Sequence, residues 1–315
     1  MASAGSPRRR GNRRNSFARL SFPAAKSHIR RTGLQPIRTN QIMPAPDQRL
    51  PTLFIPHGGG PWPFMEVSFG PPDTWDRLAG YLRGLDHSLG GRPKAVLVIS
   101  GHWETERPTV NVGRHPPLLF DYYGFPKHTY ELRYPAPGSP ELARRVRELL
   151  SAAGIASDED DARGFDHGVF VPFMLVYPDA DVPVVQLSLQ QNLDPAEHLA
   201  IGRALAPLRD EGVLIIGSGM SYHNLRELLS GSPRGNGASD AFDAWLAQAV
   251  EAADPAVRDR ELSRWSEAPG ALSCHPRSEH LLPLMVAAGA AGDDRGRRVF
   301  NDHIWGKAVS GFQFG

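Results

Sequence analysis

KAVLVISGHWE, residues 94–104, decides the fold: five apolar residues run unbroken from Ala95 to Ile99, Ser100 and Gly101 open the chain, and His102, Trp103 and Glu104 follow. An apolar run without alternation is what a strand covered on both faces looks like, and such strands belong to parallel sheets flanked by helices. Two other stretches repeat the pattern, PTLFIPHGGG (51–60) and VLIIGSGMSYHN (213–224), each passing from an apolar run through small residues or a proline to a histidine. In an open α/β sheet, ligands bind in the crevice at the carboxyl ends of the strands. His57, His102 and His223, carried there by separate strands, are therefore expected to converge, and three convergent imidazoles point to a metal.

Working outward, apolar runs of strand length alternate with amphipathic segments of helix length from residue 51 onward, which predicts a single α/β domain. Its centre is expected to be a mostly parallel mixed sheet with helices on both faces. Strands are predicted at 51–56, 94–100, 108–112, 183–188, 213–217 and 308–314. Helices are predicted at 74–85, 140–152, 168–177, 195–210, 239–253 and 278–290. Ser139-Pro140 and Asp194-Pro195 supply caps with proline at the first helical position, Gly154 and Gly212 supply stops, and Pro283 is expected to kink the last helix. Residues 113–138, GRHPPLLFDYYGFPKHTYELRYPAPG, have neither period and form a connection long enough to be functional. Residues 230–238, SGSPRGNGA, read as a flexible loop near the site.

The chain of 315 residues has a formal charge of +1, which conceals a division. Residues 1–46 hold ten Lys or Arg and no acid, whereas 47–315 carry 25 basic against 34 acidic residues. The first stretch reads as a basic disordered or targeting tail, consistent with organellar import, or as an over-called start with Met43 as the alternative. The domain is assigned to 47–315. An acidic body excludes nucleic acid as the main partner. Cys274 is the single cysteine, so an internal disulfide and a thiolate metal cluster are excluded, and the interior suits a cytoplasmic location. No run approaches the ~20 apolar residues of a membrane helix.

Other residues carry chemistry. Gly58-Gly59-Gly60 allow close backbone approach beside His57, but no Lys-Ser/Thr follows to make a phosphate loop. Gly217-Ser218-Gly219-Met220-Ser221 has the wrong order for a hydrolase nucleophile elbow. His167, in GFDHGVF, reads as a general acid or base or as a capping residue at a helix start. In SCHPRSEHLLPL (273–284), Glu279 and His280 would point about 100° apart on a helix, so only one of them could ligate a given metal. Cys274–His275 is a conceivable but poorly placed nucleophile pair. His28, His87, His115, His198 and His303 read as surface residues. Tyr130, Tyr134 and His128, with Tyr122 and Tyr123, make 113–138 the expected substrate lid, because aromatic side chains stack on a planar ring.

Taken together, the chain resembles the class III, LigB-type extradiol ring-cleavage dioxygenases, in their 4,5-DOPA extradiol branch. The resemblance is carried by LFIPHGGG, VLVISGHWE, GFP…Y…YPAPGSP (124–140), RGFDHGVFVPF, YPDADVPVVQLSL, GSGMSYHNL and PRSEHLLPL. It implies a non-haem Fe(II) enzyme that opens a catechol with O2 beside its two hydroxyls, giving a muconic-semialdehyde-type product. By motif, it implies His57, His102 and His280 as metal ligands and His223 and His167 as acid/base residues. A facial triad of two histidines and a carboxylate is usual for oxygen-activating iron; here His280 stands where the carboxylate would be, with Glu279 beside it. With His223 as a fourth ligand, the same imidazoles would complete a closed Zn(II) site. The implied partners are the small-molecule catechol and O2, with a homo-oligomer compatible and no membrane. The alternatives are a zinc-dependent hydrolase and a non-catalytic metal-binding interaction module.

Overall fold

The computed structural model describes residues 49–66, 70–230 and 233–315. The basic segment 1–46, its suggested start at Met43 and His28 lie outside the described residues, as do Gly231 and Ser232 of the predicted loop.

The strands are β1 (Thr52–Pro56), β2 (Ala95–Thr105), β3 (Thr109–Asn111), β4 (Asp158–Asp160), β5 (Val184–Gln190), β6 (Val213–Gly219), β7 (Gly296–Ile304) and β8 (Lys307–Phe314). The helices are α1 (Asp76–Ser88), α2 (Pro140–Ala152), α3 (His167–Val176), α4 (Pro195–Leu205), α5 (Leu225–Leu229), α6 (Asn236–Val250), α7 (Pro255–Ser263), α8 (Ala271–Cys274) and α9 (Leu282–Ala291). All eight strands form one sheet in the order β4-β3-β5-β2-β6-β1-β8-β7. The central four are mutually parallel, while β3 joins β5, and β8 joins β1 and β7, antiparallel.

β2, β6 and β1 are adjacent, so His57, His102 and the turn after Gly219 emerge side by side at one end of the sheet. The register pairs Ile99 with Gly217, Ser100 with Ser218, and Pro56 with Gly219. Helices cover both faces. α3 and α1 lie on one, and α9 lies across β1, β2 and β6 on the other, backed by α4. Every residue of α9 is buried, as befits a helix apolar all round. Arg209, itself buried, gives its guanidinium to the carbonyls of Ala290 and Ala291 at 3.2 and 2.9 Å, fixing the end of α9 through carbonyls that lack helical partners.

Several expectations are corrected. β4 and β7 were not predicted, and they are the two edges of the sheet: paired on one side only, they carry DED and GRRVFNDHI rather than apolar runs, the charged dress of edge strands. β2 continues through a bulge between Ile99 and Glu104, so His102 stands within the strand rather than beyond it. Its register shift re-aims side chains at the sheet end, a common place for bulges. The helix expected over 195–210 becomes a 3-10 turn at Ala206–Arg209, where Pro207 lacks the N–H the helix needs. The helix expected from 278 starts at Leu282, with Pro283 in its first turn, where proline causes no kink. Part of 113–138 is a 3-10 turn, Lys127–Tyr130. His198, expected on the surface, is fully buried. It accepts from Gln190 N at 3.1 Å and donates through Nδ1 to Asp194 O at 2.6 Å, a neutral imidazole tying α4 to β5.

Candidate metal centre and cavity

Two alternating glycines on β6 explain how a late segment of the chain reaches the sheet's end. A side chain at Gly217 would meet Pro283 O at 2.3 Å, and one at Gly219 would meet His280 O at 2.1 Å. Gly101 on neighbouring β2 gives the same clearance, with Glu279 O at 3.0 Å from the Cβ it lacks. The segment Glu279–Pro283 therefore rests directly on the strands, and Met220 N donates to His280 O at 2.9 Å. Ser218, between the glycines, faces the opposite layer and donates to Gly168 O of α3. The Gly-Ser-Gly motif is thus a seat for His280 and a prop for α3.

The seat brings His280 against the strand-end histidines. His102 Nε2 lies 3.1 Å from His57 Nε2 and 3.1 Å from His280 Nε2. Each ring has a polar partner on its other nitrogen: His57 Nδ1 meets Ser218 Oγ at 3.1 Å, His280 Nδ1 meets Glu279 Oε1 at 2.9 Å, and His102 Nδ1 faces Asp121 Oδ2 at 3.5 Å. An outward-facing Nδ1–H leaves each Nε2 with its lone pair turned inward, the arrangement that second-sphere groups impose on metal-bound histidine. Burial disfavours the charged form of all three rings, and mutual repulsion adds to it. His57 and His280 are held well below their ordinary range and His102 falls to about 3. Three neutral imidazoles with facing lone pairs repel one another unless a cation lies between them, and nitrogens ~2.1 Å from one ion have separations close to the two that His102 Nε2 makes, with His57 and with His280. The donor set therefore fits a divalent metal.

The remaining histidines surround this set. His167, the first residue of α3, donates from Nδ1 and from its backbone N–H to Asp121 Oδ1, at 2.8 and 3.0 Å. Its ring lies 4.0 Å from that of His102. Burial works against the charge on Asp121, but the bonds from His167 and the adjacent rings outweigh it and hold the carboxyl down to about 2. Asp121 was not singled out in the sequence, where it is one acid in a tyrosine-rich loop. His223 stacks on His280 with ring centroids 3.4 Å apart and planes 15° from parallel. In-plane lone pairs of parallel stacked rings do not meet at one nearby point, so His223 flanks the His57, His102 and His280 donors rather than converging with them. Its Nδ1 faces Glu279 Oε1 at 3.3 Å. Two donor groups, His57/His102/His167 and His223/Glu279/His280, each bring their ligand atoms within 4.8 Å of one another. Glu279 and His280 are in a turn, not a helix, which lets the carboxylate reach both neighbouring rings. Arg277 in turn spans Glu104 and Glu279.

Above the histidines is a cavity of about 520 Å³. Asp121, Tyr122 and Phe125 represent the 113–138 loop in its wall. The three residues expected to bind substrate there do not line it. Tyr134 is buried with its hydroxyl on Tyr177 O at 3.1 Å, Tyr130 packs behind Tyr122 with ring centroids 5.2 Å apart, and His128 bonds Phe64 O at 2.9 Å on the exterior. An irregular loop has no period from which its inward residues can be read. Cys274 and His275 are also structural. Burial pushes the thiol up to about 12, and His275 Nε2 holds Ser221 O at 2.9 Å, so neither forms a nucleophile pair.

Replacing Ser218 with alanine should remove the partner of His57 Nδ1 while leaving the ring in place, and metal affinity is expected to fall ~10- to 100-fold. Competition against a chromogenic chelator measures it.

Residues 52–311 match the family described as the catalytic LigB subunit of aromatic ring-opening dioxygenase. Among relatives, the 4,5-DOPA dioxygenase extradiol of Beta vulgaris is 42% identical over 253 residues, covering 77% of this chain and 87% of the relative. The dioxygenase tasH of Hapsidospora irregularis is 36% identical over 285 residues, covering 84% and 85%. The crystal structure of an uncharacterized protein from Escherichia coli K12 superposes with a TM-score of 0.67 at 32% identity, covering 85% of this chain and all of the other.

Proposed function

The chain belongs to the family of LigB catalytic subunits of aromatic ring-opening dioxygenases, and from that premise we propose that it opens a catechol, the class that includes the DOPA of its relatives' names. The cleavage we assign is extradiol, beside the two hydroxyls, with O2 as co-substrate and a muconic-semialdehyde-type product. The observation that carries this reading is the convergence of His57, His102 and His280 through Nε2, each anchored outward through Nδ1. These residues would hold Fe(II), which supplies Lewis acidity toward the catechol oxygens and a redox centre for O2. Zn(II) suits the same donors but has no redox chemistry to offer.

The surrounding residues handle protons. His223, steadied by Glu279, is placed to take a proton from a catechol hydroxyl, and its stacking on His280 keeps it within reach of a ligand bound there. His167 keeps Nδ1–H on Asp121, so Nε2 is the atom that exchanges a proton with the opening ring. Imidazole suits both tasks because one ring nitrogen can accept a proton while the other donates one. Trp75, Trp305 and Phe125 give the cavity an apolar wall, and most of the catalysis is positioning of ring, oxygen and acid/base groups.

Anaerobic loading with Fe(II), followed by DOPA and air, tests the assignment. Oxygen uptake matched by a yellow ring-opened product is expected. Ester hydrolysis by the zinc-loaded protein, with no oxygen uptake by the iron-loaded one, would overturn it in favour of a hydrolase.

A further inference from the structure

The chemistry of the cavity changes abruptly with height. Its floor is polar: histidines and Asp121. Its upper wall is built from Trp75, Trp305, Leu225, Leu229 and Ile304. The indoles of Trp75 and Trp305 meet edge to face with centroids 5.8 Å apart, presenting an extended apolar surface. Leu225 and Leu229, one turn apart on α5, are 54% and 74% exposed. Residues four apart share a helix face, so α5 offers the rim two leucines that nothing in the described chain covers.

Among the described residues, charges that could recognise an ionic substituent are absent from this wall. No Lys or Arg is among the described residues lining the cavity. Lys307, behind the Tyr222 ring at 6.0 Å, gives its ammonium to Asn236 Oδ1 at 2.6 Å and to Arg234 O. Arg163 bonds His102 O and Asp166 beneath the floor, and Arg277 forks onto Glu104. The hydroxyl of Tyr122 is turned away, onto Thr129 O at 2.5 Å. An ammonium would find Asp121, already committed to His167, as the one carboxylate among the described lining residues, and a carboxylate would face indole and leucine with no Lys or Arg to pair with. Placing a charged group against such a wall loses hydration with no countercharge there to offset it.

We propose that the catechol selected by this site carries an uncharged, apolar substituent, such as a short alkyl chain, in place of the zwitterionic side chain of DOPA. The inference rests on the ring-opening reading above. The hydroxyls of the ring go to the histidine floor, and the substituent extends along Trp305 to Leu225 and Leu229, which it covers.

The test compares 4-propylcatechol with DOPA, which share the ring and its substitution position. With the full chain loaded with Zn(II), which binds without turnover, quenching of the cavity tryptophans reports affinity, and 4-propylcatechol is expected to bind about 10-fold or more tightly than DOPA. With Fe(II), its kcat/KM is expected to exceed that of DOPA by about 10- to 100-fold, the range that apolar pocket contacts supply. Leu229→Arg, a change at an exposed position, is expected to bring both ratios close to unity by gaining on the DOPA carboxylate and losing on propyl. Equal or better binding and turnover of DOPA by the unaltered protein overturns the inference and leaves ring opening standing. Opening of neither catechol overturns both.

Discussion

Replacing His102 with alanine is expected to cost the protein its bound metal and, with it, ring opening by roughly 10³-fold or more. His102 Nε2 is the atom common to both close contacts of the donor set, 3.1 Å from His57 and from His280. Without it, two separated imidazoles remain. A metal's contribution to such chemistry is several kcal/mol of transition-state stabilisation, and each ~1.4 kcal/mol is a factor of ten in rate. Elemental analysis after dialysis and single-turnover oxygen uptake are the measurements. The apo-protein should keep its melting temperature, because removing one of three mutually repelling neutral rings relieves strain as well as losing packing. The melting temperature of the unaltered protein should rise with added metal by linkage, and that rise should vanish in the variant. A variant that still binds one ion tightly and turns over would remove His102 from the metal site.

Gly219→Ala is expected to do comparable damage without touching a side chain that bears chemistry. The added methyl would lie 2.1 Å from His280 O and 2.9 Å from a ring carbon of Phe54. The first of these is backbone and cannot rotate aside. Either the Glu279–Pro283 segment lifts, breaking the bond from Met220 N, or β6 bows. Overpacking of this kind costs ~1–3 kcal/mol of stability, and an ångström of displacement at a reacting centre costs about 10²-fold in rate. Calorimetry and kcat/KM measure the two parts separately. Wild-type stability with full activity would show that the seat is looser than these contacts imply.

The central strands were legible because burial on both faces leaves an apolar run and nothing else. β1, β2, β5 and β6 were all found, whereas β4 and β7, exposed along one side, looked like polar loop. The site divides in the same way. His57 and His102 follow apolar runs directly, so sheet geometry alone brings them together. His280 could be tied to them only through the resemblance to a known family, since no periodicity says that Glu279–Pro283 crosses the strand ends. What reveals it in hindsight is the alternation Gly217-Ser218-Gly219, two clearances on one face of a strand. Asp121 was unreadable for a different reason: its role depends on where an aperiodic loop turns inward. Tyr130 and Tyr134, more conspicuous in the sequence, pack within the loop and against the body instead, while Tyr122 reaches the cavity wall.

The sheet order has a consequence for how the protein acquires its ion. β1 lies between β6 and β8, so the strand that delivers His57 precedes both of its hydrogen-bonding neighbours in sequence and is paired only after β6 and then β8 have been synthesised. His280 itself arrives near the end. Pairing of β1 and β2 with β6 can bring His57 and His102 together while His280 is still to be added, and non-local pairings of this kind form slowly. The full set of three donors therefore exists only once residue 280 has been made and the Glu279–Pro283 segment has seated on the strand ends.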